Sequence, residues 1–128
     1  MVSIVVGFFG MIGALLRYEL SDIGLWQGTT FPIGTLLCNL IGCLVLGWFN
    51  QSIKRSEKIH TNIKIGISTG LIGSFTTFST FSVETIELFQ KHHVSLGILY
   101  ILVSLIGGWC FVFLGDKLGQ RKHREVSQ

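Results

Sequence analysis

Four long apolar segments, separated by short polar runs, divide this chain. They span about residues 2–21, 31–51, 61–90 and 94–116. A bilayer core takes roughly 20 helical residues to cross, so each segment is long enough. The pattern predicts an all-α membrane protein with four transmembrane helices in one domain over residues 1–128. A basic, hydrophilic tail over 117–128 is expected to lie outside the fourth helix. The first basic residue, Arg17, follows the first apolar run. A secretory leader has its basic residues in front, so this segment is expected to remain as a helix.

Small residues are arranged along these helices. Gly7, Gly10, Gly13 and Ala14 mark one side of the first, and Gly34, Cys38 and Gly42 recur at i, i+4, i+8 on the second. Such stripes let two backbones approach closely in a membrane. Thr30 is the expected N-cap of the second helix, with Pro32 in its first turn, where a missing N–H costs little. Asn39 lies near the middle of that helix. Its amide brings two donors and an acceptor into a place where unpartnered polar groups are costly. It either ties helices together or faces a polar path. On the fourth helix, Gly97, Tyr100, Ser104, Gly108, Phe111 and Gly115 form a small and polar face.

The third segment departs most from a lipid-like composition. Between Phe75 and Ser82 it places five hydroxyls and three phenylalanines in eight positions. Phe78 and Phe81 can share a helical face, surrounded by Thr76, Thr77, Ser79, Thr80 and Ser82. Each hydroxyl alone could bond back to the carbonyl four residues earlier. The cluster as a whole, preceded by Gly70 and Gly73, points to a helix that breaks and restarts along a polar path. About 30 residues at 1.5 Å each reach roughly 45 Å, more than one crossing requires, which also fits a break.

Composition adds exclusions. Charged residues are 13% of the chain and mean hydropathy is +0.59, which excludes an ordinary soluble domain. The net charge of +3 comes from residues beside apolar ends, so it is not a nucleic-acid signal. Cys38, Cys43 and Cys110 lie within apolar segments, at spacings that suit neither zinc nor a disulfide framework. His60 reads as a loop residue, and the neighbours His92 and His93 do not face each other on a helix. No nucleophile–base pair or phosphate loop is apparent, so the chain is not expected to be an enzyme.

Three stretches together resemble the Fluc (also called CrcB) family of small bacterial fluoride channels. They are Gly10-Met11-Ile12-Gly13-Ala14-Leu15-Leu16-Arg17-Tyr18, Pro32 to Gly42 with Asn39 inside it, and Gly73-Ser74-Phe75-Thr76-Thr77-Phe78-Ser79-Thr80-Phe81-Ser82-Val83-Glu84. The resemblance implies an antiparallel dimer with two fluoride pores and a structural sodium ion at its centre. It assigns the sodium to the backbone carbonyls of Gly73 and Thr76. It assigns the pore to Asn39, Phe78, Ser79, Thr80, Phe81, Tyr100 and Ser104. Arg17, near the end of the first helix, either snorkels to the interface or stands at the vestibule of an anion path. Gly108 departs from the pattern, standing where a third hydroxyl of the fourth-helix track would fall. The implied activity is passive fluoride export across the cell membrane.

Charge then suggests an orientation. With four helices, one side carries Lys54, Arg55, Lys58, Lys64, Lys117, Arg121, Lys122 and Arg124, and the other Arg17 and Lys91. That bias predicts both termini in the cytoplasm. Chains that form antiparallel homodimers carry little such bias, so the dimer is expected with itself or with an oppositely oriented homologous subunit. Two other functions fit the gross architecture. A proton-coupled multidrug exporter needs a membrane-embedded acid, and the first helix has none before Glu19. A non-transporting membrane subunit would use the small-residue stripes for helix packing alone.

Overall fold

The computed structural model describes residues 2–21, 28–53 and 59–126, with side chains as far as Gln120. Lys54, Arg55, Lys58 and most of the 22–30 loop lie outside the described residues. Helix α1 covers Val2–Ser21 and α2 covers Ile33–Ile53. The short α3, Thr61–Ile65, runs into a π-helical stretch, Gly66–Ile72, and then into α4, Gly73–Phe75. Helix α5 follows at Phe78–Gln90 and α6 at Val94–Val126. Among the described residues every regular element is helical. Three helical spans there are long and apolar enough to cross a membrane: Val2–Ser21, Ile33–Ile53 and Val94–Gln120.

Glycines set how the helices meet. The most extensive packing is between α2 and α6. There Gly47 lies against the Val112 carbonyl, and Gly115 lies against the Leu44 carbonyl and the Trp48 N–H. A methyl group at either position would collide with backbone, so only glycine permits this approach. On the other side, α1 packs against the π-helical stretch and α4. A side chain at Gly70 would come within 2.5 Å of the Val6 carbonyl, and Gly13 sits on the Leu71 backbone. The widened π turn coincides with Ser68, whose hydroxyl donates back to the Lys64 carbonyl at 2.9 Å.

Several element ends differ from the sequence expectation. Helix α2 begins at Ile33, so Thr30 is not its N-cap. The Ile33 N–H bonds to the Phe31 carbonyl at 2.9 Å, and Leu36 takes up the Pro32 carbonyl at 3.2 Å. Proline therefore stands just before the helix, and the tight turn at Phe31 does the work expected of a threonine cap. His60 is a cap rather than a bystander: its ring accepts the Asn62 N–H at 3.4 Å at the start of α3. Helix α6 does not stop at Asp116 but continues to Val126. Side-chain pairs support the extension. Lys117 Nζ lies 4.5 Å from the Phe113 ring centre, and Gln120 donates to Asp116 Oδ2 at 2.9 Å. Gly119 packs against the end of α2 at Trp48 and Gln51. At 1.5 Å per residue its 33 residues reach about 50 Å, well beyond the bilayer core.

Candidate functional site

The site is built at the interruption between α4 and α5, through an exchange of hydrogen bonds. Thr76 closes α4, with its N–H and its hydroxyl both bonded to the Ile72 carbonyl at 3.0 and 3.1 Å. The backbone then extends at Thr76 (φ −80°, ψ 152°) and Thr77 (φ −143°, ψ 125°). In a continuous helix the Thr77 N–H would reach the Gly73 carbonyl. Here it donates to Asn39 Oδ1 at 2.8 Å, while Asn39 Nδ2 donates to the Thr77 carbonyl at 3.0 Å. One amide on α2 thus replaces a helical neighbour in both directions. The Thr80 N–H likewise turns from the Thr76 carbonyl to Thr77 Oγ1, at 3.2 Å, and caps α5.

This exchange releases two carbonyls. Neither Gly73 nor Thr76 has a helical partner for its oxygen, and the Gly73 carbonyl receives a long contact, 3.4 Å, from the Thr76 hydroxyl. Among the described residues no His, Cys, Asp and Glu group could hold a metal ion. Unwound carbonyl oxygens suit a hard cation instead, so these two fit a sodium ion by the chemistry of their donors.

The hydroxyls divide into two kinds. Thr76 and Ser82 bond back to carbonyls four residues earlier, Ser82 to Phe78 at 2.9 Å. Thr77, Ser79 and Thr80 gather instead, with Thr77 Oγ1 lying 3.3 Å from Ser79 Oγ and 3.0 Å from Thr80 Oγ1. Thr77 is also the wall common to two cavities. One, of about 340 Å³, is lined by Asn39, Cys43, Gly73, Phe78, Phe81 and Ser104 among others, and by no charged side chain. The other, of about 380 Å³, is lined by Arg17, Thr35, Thr80 and Glu84 among others.

The candidate residues take distinct places within this arrangement. Phe78 and Phe81 have ring centres 5.9 Å apart, and Phe81 lies 5.0 Å from Tyr100. Phe78 is 79% exposed on the isolated subunit, whereas Tyr100 is fully buried. The Tyr100 hydroxyl is committed to Glu84, to which it donates at 2.8 Å, so its proton is not directed at either cavity. Ser104 Oγ is buried without a hydrogen-bond partner and belongs to the uncharged cavity. Arg17 lines the second.

Sequence reasoning missed Glu84 and Thr35. The Glu84 carboxylate receives Thr35 Oγ1 at 2.7 Å as well as Tyr100, which ties α2, α5 and α6 together. Its place near the end of an apolar segment reads as an interfacial acid. The available signal was periodicity, because Thr77, Thr80 and Glu84 fall on one face at i+3 and i+4 steps.

These features define an all-helical, multi-pass membrane protein with polar cavities built around a helix break. Residues 4–116 match the profile of the family described as CrcB-like protein, Camphor Resistance (CrcB). A Bacillus cereus protein named fluoride-specific ion channel FluC 1 is 45% identical over 127 residues, covering 96% of this chain and 93% of that protein. A Listeria innocua protein named fluoride-specific ion channel FluC 2 is 46% identical over 117 residues, covering 91% and 88%. A Staphylococcus epidermidis FluC 1 is 42% identical over 112 residues, covering 88% and 91%. The chain belongs to the CrcB family.

Proposed function

We propose that this chain is a subunit of a fluoride-selective channel that lets fluoride leave the cell passively. The observation that carries the reading is the uncharged cavity at the helix break. Its polar groups are the Asn39 amide and hydroxyls, set beside the rings of Phe78 and Phe81. Fluoride is small and strongly hydrated, so a pore has to replace its water with donors. Asn39 spends one amide proton on Thr77 and keeps another, and Ser104 keeps its hydroxyl. Ring edges carry the positive part of the aromatic quadrupole and can face an anion. Neutral donors hold an anion loosely enough for it to leave, which conduction requires. Arg17, at the second cavity, supplies the positive charge that draws anions to a mouth. The relatives named fluoride-specific ion channels support fluoride as the ion.

In this proposal the third segment, from Thr61 to Gln90, crosses the membrane as a broken helix, giving four crossings. Two subunits pack antiparallel, and the Gly73 and Thr76 carbonyls of each face a shared sodium ion. That ion would fix the broken ends and favour an anion nearby. The excess of basic residues on one side supports cytoplasmic termini for this chain, and an oppositely oriented homologue as its partner.

The test is fluoride efflux from liposomes holding the purified chain, with chloride and sodium varied. Rapid efflux that excludes chloride is the expected result, either from the chain alone or after an oppositely oriented homologue is added. Silence in both preparations would overturn the reading.

A further inference from the structure

The uncharged cavity also holds a free thiol. Cys43 follows Asn39 by one helical turn on α2 and lines the same cavity as the unpartnered Ser104. Across from it on α6, Tyr100, Ser104 and Gly108 follow one another at steps of four. Of these three only Ser104 brings a hydroxyl to the cavity, because the Tyr100 hydroxyl is bound to Glu84 and Gly108 has no side chain. A Cβ built on Gly108 would meet Cys43 Sγ at 3.5 Å and nothing else within 4 Å. The thiol therefore occupies the ground that a side chain at 108 would reach.

We propose that Cys43 supplies the polar contact to the permeating anion that α6 lacks at Gly108. The thiol and the Ser104 hydroxyl then form one anion station, contributed by two helices. A thiol is a weak donor, so this station binds a hard anion less tightly than a hydroxyl would. Cysteine is also small and apolar enough to sit in a membrane helix without a permanent partner. The inference rests on the channel reading and adds a residue to its path.

The arrangement predicts a rescue. Cys43→Ala removes the donor, and Gly108→Ser returns a hydroxyl to the same space from the opposite helix. The 3.5 Å approach is ordinary van der Waals contact, so serine fits there. The assay is liposome fluoride efflux for the wild type, Cys43→Ala, Cys43→Ser and the double variant Cys43→Ala/Gly108→Ser. Dimer assembly is checked by size exclusion. Cys43→Ala should slow efflux by roughly tenfold, the scale of one hydrogen bond to a charged species. Cys43→Ser should conduct at least as fast as the wild type, and Gly108→Ser should restore most of the flux lost in Cys43→Ala. Unchanged efflux in assembled Cys43→Ala would overturn the proposal. So would slow efflux that Gly108→Ser does not relieve, since the thiol would then act by packing alone. A wild type silent with and without the homologue overturns the channel reading itself, which separates the two failures.

Discussion

Asn39→Leu is the sharpest test of how the helix break is held. Asn39 gives and accepts one hydrogen bond each with the Thr77 backbone, at 3.0 and 2.8 Å. Leucine removes both and leaves a buried N–H and C=O unpaired, because Thr77 is only 7% exposed. Each such group costs about 1–3 kcal/mol, so the pair costs about 4 kcal/mol. The added apolar burial of leucine offsets about 1 kcal/mol, leaving about 3 kcal/mol of destabilisation. For a domain of this size that corresponds to a fall in Tm of about 10 °C. Thr77→Ala is the matched control. It keeps both backbone bonds to Asn39 and loses the hydroxyl that caps α5, which costs about 1 kcal/mol and lowers Tm by about 3 °C. Asn39→Asp falls between, since it still accepts the Thr77 N–H but sets an oxygen against the Thr77 carbonyl. Tryptophan fluorescence during thermal unfolding in detergent reads all three. A Thr77→Ala loss equal to or larger than that of Asn39→Leu would refute the argument, because the threonine hydroxyl, not the asparagine amide, would then be holding the break.

Four further outcomes follow from the same geometry. Glu84→Ala should cost about 2 kcal/mol by orphaning the buried Tyr100 hydroxyl, and Glu84→Gln about half as much, since its amide oxygen can still accept. Unfolding midpoints would show this order. Phe81→Ile should destabilise more than Phe78→Ile, by about 1 kcal/mol, because Phe81 contacts the Tyr100 ring while Phe78 projects from the subunit. Both should cut fluoride efflux. Gly47→Leu should abolish recovery of folded protein, because its side chain would enter the α6 backbone at Val112; monodisperse elution at wild-type yield would contradict this. Replacing sodium with a bulky organic cation should lower the Tm of the purified protein, and restoring sodium should reverse the fall.

How much of this could be read from the chain depended on whether the cause was local. The break was legible because hydroxyls and glycines are out of place in an apolar helix, and local composition reports that directly. Asn39 was legible as an oddity for the same reason. Its partner was not, because it bonds to backbone atoms 38 residues away that carry no side-chain signature. The role of Glu84 is not legible in the sequence because its environment comes from Thr35, 49 residues away, and from Tyr100 on α6. The end of α6 is hidden for a different reason. A charged run resembles a helix end, yet Lys, Arg and Gln are good helix formers, and the helix continues through them to Val126.

The Asn39 clamp also links the two roles proposed for the helix break, cation binding and anion passage. By taking the Thr77 N–H, Asn39 removes the partner of the Gly73 carbonyl and so creates an oxygen that a cation can use. By holding the Thr77 carbonyl, it fixes the residue whose hydroxyl caps α5 and so orients Phe78, which follows it, and Phe81 one turn later. A single substitution at Asn39 should therefore weaken sodium dependence and fluoride passage together, whereas Phe78→Ile should reduce passage and leave the sodium dependence of Tm intact. Measuring both properties in both variants decides the matter. If Asn39→Leu lost fluoride efflux but kept a wild-type sodium dependence, the Gly73 carbonyl would owe its availability to something other than the diverted Thr77 N–H, and the coupling of the two sites through the break would be wrong.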